Sequence, residues 1–224
     1  MSNLFRVKKI YNCINSACNH KFHHTSKMVW NTLDEEIYSD MKVTNPAYEH
    51  PPLATKCPTC KQIAWIKDIL ANQQIGTYRV TRNFSEIQDL TIQDCVEFLT
   101  DINYVETTKE FIDLRFYMIE LFNNRIRYED YSTTKKSGDL TLFSDLDKKK
   151  LWKTNLNALS KLLDLKDNEH KCLKAEILRY KGKFKKAKKM LKKIKHPDYT
   201  WYVNQSIQKC KEKNDRVFKL VKVE

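Results

Sequence analysis

Four cysteines near the start of the chain have the residue type and spacing for metal chemistry. Cys13 and Cys18 stand in CINSAC, and Cys57 and Cys60 in CPTC. Two close pairs joined by a longer segment make a four-thiolate cage, and four sulfur ligands satisfy one tetrahedral Zn²⁺ with no position left for water. Such a site is structural, and the metal bond supplies folding free energy to a segment with little core of its own. Paired cysteines in a cytosolic chain point to metal before disulfide. His20, His23 and His24 lie nearby, and one of them in place of Cys18 would give a Cys₃His set.

The remaining reactive side chains carry less. Cys95, Cys172 and Cys210 fall on apolar helix faces, where a thiol behaves as a small hydrophobe. Asp34, Glu35, Glu36 and Asp40 form a weak acid–base candidate that reads better as an exposed acidic loop. Three glycines leave no glycine-rich phosphate loop or dinucleotide fingerprint. No catalytic residue and no organic cofactor is expected, and the chain reads as a non-enzyme.

Positioning the cysteines falls to short β-prone runs. Leu4, Phe5, Val7, Ile10 and Tyr11 lead into the first pair, and Ile63, Ala64, Trp65 and Ile66 follow the second. A small zinc ribbon is expected over 1–75, with Asn19 better suited than Lys61 to a left-handed turn after the second cysteine of each pair. Between the pairs, Asn19 to Lys56 is too long for a tight hairpin and reads as an elaborated loop. Its residues around Trp30 and from Tyr38 to Tyr48 are the expected contact surface for a partner.

Downstream the apolar period becomes helical. A short helix is expected over 68–75, a connector over 76–89, and an α-helical region over 90–216, followed by a tail at 217–224. Thr91 and Thr108 read as helix caps, and Ser144 with Asp147 as a third start. Phe111, Leu114, Met118, Leu121 and Phe122 form the apolar stripe of the second helix. In 168–195, Ala175, Leu178, Gly182, Phe184, Ala187, Leu191 and Ile194 fall at tetratricopeptide spacings. The two alanines let antiparallel helices approach, and Gly182 supplies the turn. The fold class is therefore α+β, mainly α: a β zinc ribbon plus a helical tetratricopeptide-like array.

The 224 residues carry a net charge of +13, unevenly placed. Residues 145–224 hold 24 Lys and Arg against 10 Asp and Glu, whereas residues 81–144 hold 7 against 12. A basic third of this kind attracts nucleic acid, an anionic surface or an acidic protein, although its lysines spread around more than half a helical turn. No apolar run reaches the roughly 18 residues of a membrane span, and no signal peptide is visible, so a cytoplasmic protein is expected.

Two segments resemble a class of uncharacterised bacterial proteins. In these a cysteine knuckle is followed by a Tyr-Ser-Asp-Gly or Trp-Ser-Asp-Gly element, a Pro-rich stretch and a Cys-Pro-x-Cys ending in Trp. The corresponding residues here are Asn31, Thr32, Tyr38, Ser39, Asp40, Pro46, Pro51, Cys57, Pro58, Cys60 and Trp65. Such proteins continue into a unit of the type AExxRxxGxFxxAxxLL, and Ala175, Glu176, Arg179, Gly182, Phe184, Ala187 and Leu191 are similar to it. The chain departs in its wider CxxxxC pair, in Met41 where the element has glycine, and in Lys192 for the final leucine. The resemblance implies the ribbon-plus-helices architecture and no activity. Together these readings lead to a non-enzymatic protein-interaction or scaffold module with one structural zinc, against the alternative of a zinc-dependent nucleic-acid-binding accessory protein.

Overall fold

A computed structural model describes residues 5–28, 35–44, 52–71, 85–101, 105–129 and 146–221. The strands are β1 (Phe5–Asn12), β2 (Lys21–Met28), β3 (Glu36–Tyr38), β4 (Val43–Thr44), β5 (Ala54–Lys56), β6 (Ile63–Trp65), β7 (Ser85–Glu86) and β8 (Lys219–Leu220). The α-helices are α1 (Ile66–Ala71), α2 (Ile92–Thr100), α3 (Thr108–Glu129), α4 (Leu146–Leu162), α5 (Asn168–Tyr180), α6 (Phe184–Leu191) and α7 (Thr200–Lys211). The class is mixed and mainly helical, as expected. No helix among the described residues is long and apolar enough to cross a membrane.

The chain forms two compact units, and their limits differ from the expected domains. Unit 1 comprises Met1–Glu35 and Thr44–Glu106, and unit 2 comprises Glu36–Val43 and Thr107–Glu224. Helix α2 thus belongs with the cysteines, at the far side of the boundary expected near residue 90. Part of the loop between the cysteine pairs belongs with the later helices. The expected tail supplies β8, which pairs antiparallel with β3 through Ile37↔Leu220 and Tyr38↔Lys219.

Unit 1 is built from two antiparallel hairpins. β1 pairs with β2 from Phe5↔Met28 to Asn12↔Lys21, and β5 pairs with β6 from Ala54↔Trp65 to Lys56↔Ile63. The short β7 adds to β2 in parallel. Tyr11, Phe22, Ala64, Ile66, Ile69 and Ile87 form a small core that also contains Cys13 and Cys57. The helix expected at 68–75 starts two residues earlier, directly from β6, and its described part ends at Ala71. At α2, Thr91 caps as expected: its Oγ1 accepts from the Asp94 N–H at 3.1 Å, and Asp94 Oδ2 accepts from the Thr91 N–H at 3.0 Å. This reciprocal box satisfies two otherwise orphaned donors.

In unit 2, α3 packs on α4, α4 on α5, α5 on α6 and α6 on α7, while α5 also reaches α7. Thr107, one residue before the expected position, caps α3: its Oγ1 accepts from Glu110 N–H at 3.2 Å, and Glu110 Oε2 accepts from Thr107 N–H at 3.1 Å. The buried face of α3 includes Leu114, Tyr117, Met118, Ile119 and Phe122, and also two polar residues, Asn123 and Arg127. Ser144 lies outside the described residues.

The turn between α5 and α6 closes as the glycine suggests. Gly182 has φ +67°, its N–H donates to Arg179 O at 2.8 Å, and Lys183 N–H donates to Leu178 O at 2.8 Å. That pair of bonds is a Schellman motif, which requires a left-handed residue at this position. The end of α7 repeats it with Lys213 at φ 55°, a position where a side chain is strained. Cys172, Ala175, Ala187, Leu191, Ile194 and Tyr202 fill the space between α5, α6 and α7.

Candidate metal centre and buried charge network

Each hairpin of unit 1 presents its cysteine pair at its turn. Cys13 directly follows β1 and Cys18 precedes β2, while Cys57 directly follows β5 and Cys60 precedes β6. In the first turn Cys13 N–H donates to His20 O at 2.9 Å, Cys18 N–H to Asn15 O at 2.8 Å, and Ala17 N–H to the Asn15 side chain at 3.0 Å. In the second, Cys57 N–H donates to Gln62 O and Lys61 N–H to Cys57 O, both at 2.9 Å. Lys61 adopts φ 64°, so the left-handed residue is the lysine. Asn19, the expected one, is not left-handed, because the wider CxxxxC turn reverses without it.

The four sulfurs all lie within 4.8 Å of one another. Cys13 Sγ is 3.5 Å from Cys60 Sγ, and Cys18 Sγ is 3.9 Å from Cys57 Sγ. These separations are far longer than the ~2.05 Å of a disulfide, so the thiols are close enough to hold a metal ion without being joined. Cys13 and Cys57 are buried, and Cys18 and Cys60 half-buried. Burial pushes the Cys13 thiol up. At Cys60 burial acts in the same sense, but hydrogen bonds from the Gln62 backbone and the neighbouring thiols outweigh it, leaving that thiol at about 7. Crowded sulfurs of this kind resist ionising together unless a cation shares their charge.

Among the described residues, His20 and His23 are not part of the cluster. His20 Nδ1 lies 3.0 Å from Thr59 Oγ1, and its ring meets Phe22 edge-on with centroids 4.8 Å apart. His23 sits in β2, where its carbonyl accepts from Ile87 N–H at 2.8 Å. The side chain of His24 falls outside the described residues, as does Trp30.

Unit 2 holds a second constellation, built on the Tyr38-Ser39-Asp40-Met41 turn. Contrary to the expectation of an exposed partner-binding loop, Tyr38, Ser39 and Asp40 are buried. Asp40 forms an ion pair with Arg127, both side chains being 0% exposed, and accepts from Asn123 Nδ2 at 2.7 Å. Asn123 Nδ2 also reaches Tyr180 OH at 3.0 Å. The Arg127 guanidinium stacks over Tyr38 at 5.0 Å. One residue earlier, Ser39 Oγ donates to Glu176 Oε1 at 2.5 Å. Glu176 pairs with Arg179, whose Nη1 donates to the Asn214 and Arg216 carbonyls at 2.7 and 2.5 Å. Burial alone would loosen the Arg179 proton, but the Glu176 charge beside it holds the guanidinium ionised. Tyr180 and Tyr202 are pushed well up by burial, with Glu176 adding to it.

Met41 adopts φ 61°, the left-handed geometry in which the resembling element carries glycine. Met41 recovers part of that strain by packing its side chain against the α5–α7 core. Ser39, Asp40, Glu176 and Arg179 were each visible in the two sequence elements quoted above, but nothing in the sequence showed that the elements meet. Asn123 and Arg127 were missed. Their only signal is that two polar residues four apart interrupt the apolar stripe of α3.

The other candidates are accounted for by packing. Cys95 and Cys172 are fully buried with thiols pushed up to about 12, and burial likewise raises Cys210. Glu36 accepts from Tyr38 OH and pairs with Lys219, Glu35 is exposed, and Asp34 lies outside the described residues. No family model, curated protein or solved structure matches this chain.

Proposed function

We propose that Cys13, Cys18, Cys57 and Cys60 hold one Zn²⁺ in a closed structural site, and that the chain is a non-enzymatic protein-interaction or scaffold module of the cytoplasm. The separation of the sulfurs carries the metal assignment. Zn–S bonds of about 2.3 Å in a tetrahedron place sulfurs roughly 3.8 Å apart; Cys13 and Cys60 stand at 3.5 Å, Cys18 and Cys57 at 3.9 Å, and all four lie within 4.8 Å of one another. A four-thiolate set suits a soft, tetrahedral metal over hard, oxygen-seeking cations. With all four positions taken by protein, the ion has a structural role.

The non-enzymatic reading rests on the chemistry of the other polar groups. Burial holds the Cys95 and Cys172 thiols protonated, and the buried carboxylates Asp40 and Glu176 are committed to Arg127 and Arg179. The α5–α6 hairpin supports the tetratricopeptide-like reading through its glycine turn and the fully buried Ala175 and Ala187. Arrays of such hairpins present extended surfaces to a partner segment. The protein purified from cells without chelator should recover specific protein partners, and a truncated chain lacking α5–α7 should lose them. Recovery of the same partners without those helices would end the scaffold reading.

A further inference from the structure

The outer face of α6 carries a charge arrangement that the fold does not need. From Lys181 to His196 there are nine lysines and no acidic residue. Phe184, Ala187, Met190, Leu191 and Ile194 turn inward, and Ala187, Leu191 and Ile194 are buried. Lys185, Lys186, Lys189, Lys192 and Lys193 are therefore all displayed on the outward side, and all are exposed. The wide angular spread that argued against a focused surface in sequence is simply the whole solvent half of a helix whose other half is core.

Internal stability gives no reason for this pattern. Lys185 and Lys189 are a like-charge pair four apart within α6, an arrangement that weakens a helix. Lys185 and Lys186 occupy the first turn, where the macrodipole disfavours cations, and no acidic residue or side-chain cap offsets them. Among the described residues the side chains of these five lysines form no hydrogen bond or ion pair. A bound polyanion would relieve both penalties together.

We infer that this face binds the phosphate backbone of duplex nucleic acid without sequence preference, an activity separate from the protein-interaction role and independent of it. The cations are all lysine, compact point charges without the planar fork that reads a base edge. No large apolar side chain in 181–197 is exposed, so the face has neither an aromatic platform for unpaired bases nor an anchor for a bilayer. A duplex carries one charge per ~1.7 Å of axis, about twice the linear density of a fully acidic extended peptide rising ~3.3 Å per residue. That density suits five lysines gathered within residues 185–193, on α6 and the turn that ends it.

The test uses the whole 224-residue chain, metal-loaded, and a mixed-sequence 20-base-pair DNA duplex labelled for fluorescence anisotropy, at about 50 and about 200 mM salt. The expected result is binding that weakens steeply with salt. Lys185→Gln/Lys189→Gln/Lys193→Gln should weaken it at least tenfold at 50 mM and flatten the log–log salt slope by about three. The control Lys149→Gln/Lys150→Gln/Lys153→Gln on α4 should change it less than threefold. All six side chains are exposed, and circular dichroism checks that each variant stays folded. The inference is overturned if the wild type does not bind at 50 mM salt, or if the α6 variant binds as the wild type does. It is also overturned if both variants lose affinity equally, or if phosphatidylserine vesicles or polyglutamate bind more tightly than the duplex. Metal content measured on the same samples separates failure of this inference from failure of the zinc assignment.

Discussion

The cysteine cluster of unit 1 and the Ser39–Asp40 network of unit 2 both tie together residues remote in sequence. Cys13 meets Cys60 across 47 positions, and Ser39 meets Phe218 across 179. They do so by opposite physics. The cysteines sit at the turns of two short hairpins beside a small core, and the proposed metal would join them through one strong bond centre. The network lies inside a well-packed helical unit and uses full charges in a dry environment, where each ion is tolerable only because its partner is present. A metal site adds free energy outright, whereas a buried ion pair adds mainly specificity and becomes a liability once half of it is removed. This contrast predicts different responses to damage.

Removing the metal should have the largest effect. Structural zinc contributes on the order of 10 kcal/mol or more in small domains, comparable with the ~5–15 kcal/mol stability of a whole protein. Chelation, or Cys57→Ser, should therefore melt unit 1, seen as loss of hydrogen-exchange protection across β1, β2, β5 and β6. Protection in α5 and α7 should persist. Equal loss in both units would erase the distinction drawn between them.

Truncating the network comes next. Glu176→Ala leaves Arg179 buried without its carboxylate, at a cost of about 3–5 kcal/mol, read as a lowered denaturation midpoint of the helical signal. Replacing Glu176 and Arg179 together with apolar residues should cost much less than Glu176→Ala alone. A double variant as unstable as the single one would show that the pair contributes net stability after all.

Two turn substitutions test the backbone argument at smaller scale. Gly182→Ala should destabilise by about 1–2 kcal/mol, a purely conformational cost because an added Cβ meets nothing within 4 Å. Lys213→Gly, in the same motif at the end of α7, should stabilise by roughly 1 kcal/mol. Opposite signs at these matched positions are the expected thermal-unfolding result. Smallest of all, Thr91→Ala should cost ~1 kcal/mol by opening the α2 capping box, with its effect confined to unit 1.

Legibility in the sequence followed the same division. The cysteine cluster could be read because ligand chemistry and local spacing define it: two turns each present a pair, and pairing the pairs needs no knowledge of the rest. The α5–α6 hairpin was legible for a similar reason, its alanines and Gly182 lying within one short stretch. The capture of residues 36–43 by unit 2 was not. Asp40 sits in an acidic stretch that looks solvated, and only contacts more than 80 positions away, with Asn123 and Arg127, reveal it as buried. Strand β8 was invisible because two residues carry no periodicity. The units divide after Glu106 and not near residue 90: α2 resembles the later helices in sequence, while its partners lie in unit 1, where Lys56 pairs with Asp94 and Glu97, and Trp65 packs on Phe98 with ring centroids 4.9 Å apart.

The central claim is that the cysteines form a closed, structural zinc centre. Metal analysis of the protein purified without chelator, beside Cys57→Ser, tests it most directly. The account predicts about one zinc per chain in the wild type and far less in the variant. Wild-type protein that is folded in unit 1 and contains no zinc would contradict it.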